Sequence, residues 1–254
     1  MNTDALAGFQ PLLDELEVLD DPVPHPAALN MAIDEALLGR LGNRAVLRCY
    51  RWTRPAVSFG CFGRIHEVRD AYPGRELVRR WTGGGIVDHA ADFTFSLLVP
   101  KVLPLASLPA AEAYPRVHTA VAMALTGAGF AGVENVPART GVSHPEFPPA
   151  TQPPPHLLPC FEHPVAHDLT QAGRKVAGGA QRRTRMGLLH QGSVQKLSSG
   201  SGAWAAEERQ VFAGMLMGCL GAERSCVAIS PSIIEAAEEI AAHKYGAPSW
   251  LERL

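Results

Sequence analysis

From Pro26 to Leu41 the chain reads PAALNMAIDEALLGRL, with Leu29, Ile33, Leu37 and Leu41 spaced four residues apart. That spacing predicts one amphipathic helix, with Asp34 and Glu35 off the apolar stripe and Gly42-Asn43 as its stop. The pattern then changes period. AVLRCYRW (45–52) and AVSFG (56–60) read as two short strands separated at Pro55, which lacks the amide needed in a central ladder. ELVRRW (76–81) reads as a strand entering Gly83-Gly84-Gly85, and the β-branched and aromatic residues of IVDH and FTFSLLV suit two more strands. Val117, Val121 and Leu125 predict a helix over 108–128.

Beyond it, HDLTQ, RKVAGGAQRR and MGLLHQGSVQ predict three strands joined by tight turns, the first at Gln171-Ala172-Gly173. Residues 203–220 are helical by pattern. A last helix starts at Pro231 and ends at Gly246, with Ile234, Ala237 and Ile240 as its buried stripe. Hairpins bracketed by helices, without regular strand–helix alternation, predict an α+β fold with a mainly antiparallel, mixed sheet flanked by helices.

Composition narrows the function classes. The chain has 254 residues, 46% apolar and 19% charged, with a formal charge of −2. Near-neutrality argues against a nucleic-acid binder, and the length suits one large domain or two small ones. The acidic N-terminus lacks the features of a secretory signal. The most apolar stretch, Ala120–Val133, is too interrupted to span a membrane. Cys49, Cys61, Cys160, Cys219 and Cys226 form an odd set with no CxxC pair, which predicts a reduced, cytoplasmic protein. Only Lys101, Lys175, Lys196 and Lys244 are lysines, against 19 arginines. Residues 145–159 hold seven of the 21 prolines and lead directly to Cys160, either as a surface linker or as a stiff active-site loop.

Two glycine-rich segments carry the candidate chemistry. In RRWTGGGIVDH (79–89), Gly83, Gly84 and Gly85 let the backbone approach a ligand, and Arg79 and Arg80 suit an anionic group. A plain hairpin turn is the other reading. Neither a P-loop nor GxGxxG is present. In GRKVAGGAQRR (173–183), Lys175 lies among Gly173, Gly178, Gly179 and Ala180, either as an edge-strand lysine or as a cation that polarises a carbonyl or holds a thiolate.

These segments resemble the biotin/lipoate A/B protein ligase family, through the arginine–triple-glycine–His signature ending at His89 and the lysine motif followed by LLHQGSV. YRWTRPAVSFGCF (50–62) and KYGAPSWLERL at the end are similar to further family segments, so the likeness runs from about Leu29 to the C-terminus. The resemblance implies a catalytic domain akin to those of biotin protein ligases and class II synthetases, with residues 1–254 as one such domain. It implies attachment of octanoyl or lipoyl groups to a lysine of lipoyl domains or of the glycine cleavage H protein.

Two routes occur in that family. CFEHPVAHDLTQAGRK resembles the cysteine-dependent octanoyltransferases, which take the acyl group from acyl carrier protein through a thioester and need no cofactor. On that resemblance Cys160 is the nucleophile and Lys175 its partner, with Arg79, Arg80, Gly83–Gly85, His89 and Gly178–Ala180 around the acyl group. A buried structural thiol is the alternative for Cys160. The other route is an ATP- and Mg-dependent ligase acting through an acyl-adenylate, and a non-catalytic acyl- or lipoyl-domain-binding homologue is a third possibility. The chain departs from the family at Ala90, Gly179 and Gln191, where Asp, Ser and His are usual. No metal site is expected, and neither nucleic acid nor a membrane is an expected partner.

Overall fold

The coordinates are a computed structural model describing residues 8–138, 161–162, 164–196 and 203–253. The proline-rich stretch and Cys160 lie outside the described residues. The chain enters as β1 (Leu13–Asp20), where Leu16 and Val18 turn inward beside Glu15 and Glu17. α1 (Ala27–Leu38) begins after Pro26, which offers no capping side chain. Glu76 Oε1 instead accepts the Ala27 amide at 2.8 Å, satisfying one of the open donors of a helix start. β2 (Ala45–Tyr50) and β3 (Ala56–Phe59) flank Pro55 and diverge into different sheets.

α2 (Ile65–Ala71), β4 (Glu76–Arg79), β5 (Ile86–Asp88) and β6 (Phe93–Pro100) follow, then α3 (Pro104–Ser107), α4 (Ala110–Gly127) and β7 (Val133–Asn135). β8 (Leu169–Gln171), β9 (Arg174–Arg183) and β10 (Gly187–Val194) are the three strands expected from the pattern. The Ala172-Gly173 turn between the first two has φ of 49° and 75°, the positive pair that a two-residue hairpin loop needs. α5 (Ala206–Leu220) runs straight into β11 (Gly221–Ala228), and α6 (Pro231–Ile240), a π-helical turn (Ala241–Tyr245) and α7 (Pro248–Leu251) close the chain.

Eight strands form one sheet in the order β11-β1-β2-β6-β10-β9-β8-β7, and β4-β3-β5 form a second. In the large sheet β1 runs parallel to β11 and to β2, and the other pairs are antiparallel. The expected α+β fold with a mainly antiparallel mixed sheet is the one found. β6 is buried on both faces, and its alternation separates the two cores. Phe93, Phe95, Leu97 and Val99 join residues of α3, α4 and α5. Leu98 faces the other way, with Ile33 of α1 and Ala237 of α6.

Asp34, off the apolar stripe of α1, is nevertheless fully buried. Its carboxylate accepts from Arg48 Nη1 at 2.9 Å, Ser96 Oγ at 2.6 Å and Gln191 Nε2 at 2.8 Å. In α6 it is Ile233 and Ala237 that are buried, while Ile234 and Ile240 are half-buried, because the helix meets α1 along a shifted line. Among the described residues no helix is long and apolar enough to cross a membrane.

Candidate functional site

β6 and β10 present Thr94, Gln191, Gly192 and Ser193 to a pocket that Ser58 of β3, Val87 of β5 and the triple-glycine loop close from the other side. Met31, Trp52 and Phe161 supply apolar walls, giving the mixture of apolar surface and a few convergent polar groups typical of small-ligand sites. The glycines have steric reasons. A Cβ on Gly60 would strike the Gly83-Gly84 backbone, so this glycine lets the loop lie against the end of β3. A Cβ on Gly178 would come within 2.6 Å of Lys175 Nζ, so the lysine occupies the volume that the glycine vacates.

Arg79 and Arg80, adjacent in sequence, do different things. Arg80 Nη2 donates to the carbonyls of Gly83 and Gly85 at 2.9 Å, and Nη1 to Ser58 Oγ at 2.7 Å, so it holds the glycine loop at the pocket wall. Arg79 is fully buried and turned away from the pocket. Its guanidinium donates to the carbonyls of Cys61, Gly63, Trp250, Leu251 and Arg253, and Trp250 Nε1 donates back to the Arg79 carbonyl at 3.0 Å. Arg79 therefore fastens the C-terminal tail to β4.

His89 sits in the pocket wall with its ring 4.1 Å from that of Trp52. Its Nε2 pairs with Ser58 Oγ at 2.6 Å and its Nδ1 with Asp92 Oδ2 at 2.7 Å. The aspartate usual after the histidine is absent at Ala90, and Asp92 supplies a carboxylate to the imidazole instead. Burial pushes the Asp92 carboxyl up, but its pairing with His89 and hydrogen bonds from His89, Ser193 and Thr94 outweigh it and hold the group below the usual range. Gln191 is also accounted for. It accepts from Thr82 Oγ1 at 2.8 Å and donates to Asp34.

Lys175 is buried against a carboxylate that the sequence did not single out. Its Nζ lies 2.7 Å from Asp168 Oδ2, and Asp168 also accepts from Tyr114 OH and Val165 N–H, each at 2.7 Å. Tyr114 OH in turn accepts the Gly179 amide at 3.0 Å, tying the ion pair to the pocket floor. Lys175 Nζ stands 5.6 Å from the centre of the Phe161 ring, which lines both the pocket and an adjoining cleft with Arg174, Lys175 and Lys196. The structure thus gathers Arg80, Gly84, His89, Gly178, Gly179 and Ala180 at one pocket, with Lys175 at its edge and Arg79 elsewhere. Sequence reasoning missed Ser58, Asp92, Tyr114 and Asp168. Asp92 had a local signal, three residues after His89; Tyr114 reaches Asp168 across 54 positions and had none.

Behind Gly179, the rings of His118 and His190 pack with Tyr114. A Cβ on Gly179 would lie 2.6 Å from His190 Nε2, which accounts for glycine where serine is usual. Burial pushes His190 down to about 3, and Arg183 adds to the effect; burial likewise holds His118 well below the ordinary range. The neutral imidazole is the folded form, so its stabilisation is complete above the unfolded value of about 6.5 and is lost as pH falls towards 3. At pH 5 the loss from His190 is about 2 kcal/mol relative to pH 7. Urea unfolding at the two pH values should show a drop that is smaller by about that amount in His190→Phe. Equal drops in the two proteins would contradict a neutral buried imidazole.

The fold is that of the lipoate-protein ligases. Protein Ta0514 of T. acidophilum with bound lipoic acid matches with a TM-score of 0.69 at 19% identity, over 94% of this chain and 99% of that one. Lipoate-protein ligase A bound with ATP matches with a TM-score of 0.68 at 18% identity, over 94% and 99%. Residues 26–199 match the lipoyl protein ligase A/B catalytic domain, and the chain belongs to that family. Octanoyltransferase LipM of Carboxydothermus hydrogenoformans is 35% identical over 174 residues, 66% of this chain and 60% of the relative. LipM of Staphylococcus aureus is 33% identical over 174 residues, 65% and 60%. The chain thus spans about 60% of the length of these curated relatives.

Proposed function

We propose that the protein transfers an octanoyl or lipoyl group from acyl carrier protein to an acceptor lysine through a thioester on Cys160. The carrying observation is the buried Lys175–Asp168 pair beside Phe161, the residue that follows Cys160 in the chain. A lysine cation near a thiol favours the thiolate, the form that attacks a thioester. The donor C–S bond breaks as the Cys160–acyl bond forms, and the donor leaves as a thiol. The acceptor amine then forms an amide and releases Cys160. Arg80, the triple glycine, His89 and Gly178–Ala180 surround the acyl group on this reading, with Met31, Trp52 and Val87 against its chain. The octanoyltransferase names of the relatives support it. The acceptor is a lipoyl domain or the glycine cleavage H protein; a bipartite lipoate protein ligase of Thermoplasma acidophilum with this fold belongs to an archaeal lipoylation system that includes its E2 lipoyl domain. A free thiol nucleophile suits the reducing cytoplasm. We read residues 1–254 as one catalytic domain, with 145–159 as a loop of its site.

The transferase route needs no nucleotide. For the ATP-dependent route, the cleft beside the pocket offers Arg174, Lys175 and Lys196. Lys175 holds Asp168 and Lys196 holds Glu208 at 2.6 Å, so a triphosphate there would compete with two carboxylates. That weakens the ligase reading.

Intact-mass analysis after incubation with octanoyl acyl carrier protein should give one octanoyl adduct, removed by neutral hydroxylamine and absent from Cys160→Ser. Adding a lipoyl domain should move the group to its lysine. An adduct that persists in Cys160→Ser would sink the assignment. Lipoate-dependent pyrophosphate exchange would establish the ligase instead, and acyl binding without turnover the non-catalytic homologue.

A further inference from the structure

We infer that Ser58, His89 and Asp92 form a proton relay that takes a proton from the acceptor lysine before it attacks the acyl group. The inference rests on the acyl-transfer reading above. Amide formation requires a neutral amine, whereas a lysine with an ordinary pKa of about 10.4 arrives as an ammonium at neutral pH. A base in the pocket must therefore receive that proton.

The geometry of the three residues has the order of a hydroxyl, an imidazole and an orienting carboxylate. Ser58 Oγ and His89 Nε2 are 2.6 Å apart, and His89 Nδ1 and Asp92 Oδ2 are 2.7 Å apart. Both Ser58 and His89 line the pocket, and neither exceeds 8% exposure. Asp92 is fixed in turn by Ser193 Oγ at 2.6 Å and Thr94 Oγ1 at 3.0 Å, and the Trp52 ring holds the imidazole plane. With Nδ1–H donated to Asp92, Nε2 is left as the acceptor of the Ser58 proton. Asp92 is the positioning residue, since it acts only through His89.

The hydrogen-bond capacity of Ser58 fits an incoming amine. A hydroxyl has one proton and two lone pairs. The proton goes to His89, and one lone pair accepts from Arg80 Nη1 at 2.7 Å. The other can accept from a nitrogen in the pocket. Arg80 is permanently charged, and a like charge beside a lysine favours its neutral form. Among the described residues, the charged groups facing the relay are Asp92, Arg80, and Arg209 of α5, which donates to the Asp92 carbonyl at 2.9 Å.

The proton inventory closes. An acceptor ammonium at Ser58 passes one proton to Oγ as the hydroxyl proton moves to His89 Nε2, and the imidazolium discharges it to solvent. The amine attacks the thioester carbon, the N–C bond forms and the C–S bond breaks. The second proton lost by the nitrogen goes to the Cys160 sulfur.

Single-turnover transfer from preformed octanoyl-enzyme to a lipoyl domain, followed from pH 7 to 10, tests the relay. At pH 7, His89→Gln and Ser58→Ala should slow amide formation about 100-fold more than they slow acyl-enzyme formation, within the usual range for general-base loss. The deficit should narrow towards pH 10, where the acceptor amine is neutral unaided. Should His89→Gln fail to fold, Ser58→Ala gives the same readout. Transfer within threefold of wild type at pH 7 overturns the relay, as does a deficit that stays constant with pH, the mark of a merely structural role. An alkali-labile octanoyl ester on Ser58 that resists neutral hydroxylamine would also overturn it, making the serine a nucleophile. Failure of wild-type protein to form any acyl-enzyme is seen before the acceptor is added, and removes the thioester reading and the relay with it.

Discussion

Asp34→Ala should lower the unfolding free energy by about 3–5 kcal/mol, the effect of breaking a buried ion pair on one side. For a chain of this size that is a fall in Tm of roughly 6–20 °C, at about 2–4 °C per kcal/mol. Arg48 is fully buried and divides its donors among Asp21, Asp34 and Asn30, at 2.8, 2.9 and 2.6 Å. Removing the Asp34 carboxylate strands one guanidinium donor, the Ser96 hydroxyl and the Gln191 amide together at a fully buried position. Glu15→Ala is the control, because the Arg44–Glu15 pair is about half exposed and such pairs contribute less than about 1 kcal/mol. Thermal unfolding of the two variants separates the cases. An Asp34→Ala protein no less stable than Glu15→Ala would mean that the buried pair holds nothing together.

The same residue marks the limit of what the sequence disclosed. Four-residue spacing found α1, but an apolar stripe says nothing about a carboxylate whose partner is an arginine on the next strand. Arg48 drew no notice within its strand because its acceptors lie on α1 and on the segment after β1. Local signals did better wherever the chemistry was local: Pro55 parted two strands, Ala172-Gly173 made the predicted turn, and the glycine motifs converged on one pocket. β11 escaped notice because nearly all its residues are exposed, so pairing with β1 leaves no alternation to read. Arg79 and Arg80 were grouped as anion ligands although adjacent residues at a strand end point to opposite sides. One clasps the C-terminal tail and the other the glycine loop.

Lys175→Met should reduce acyl transfer about 10²–10³-fold, as for other preorganised charges at reacting centres. It should also cost stability, because Asp168 would remain as a buried carboxylate without its cation, a loss of about 3–5 kcal/mol in comparable sites. Tyr114 OH and Val165 N–H still reach Asp168 at 2.7 Å, which places the expected loss at the lower end. The double variant Lys175→Met/Asp168→Asn separates the two effects. Its amide needs no cation and can keep the tyrosine and backbone hydrogen bonds, so denaturant unfolding should show most of the stability restored. Transfer should not recover, since the double variant restores the hydrogen bonds of Asp168 but not the Lys175 cation. A double variant that regained transfer along with stability would make the pair a structural clamp, and the chemistry would have to be sought elsewhere. Arg174 and Lys196 in the same cleft are the first alternatives, because they are the other basic side chains lining it with Phe161.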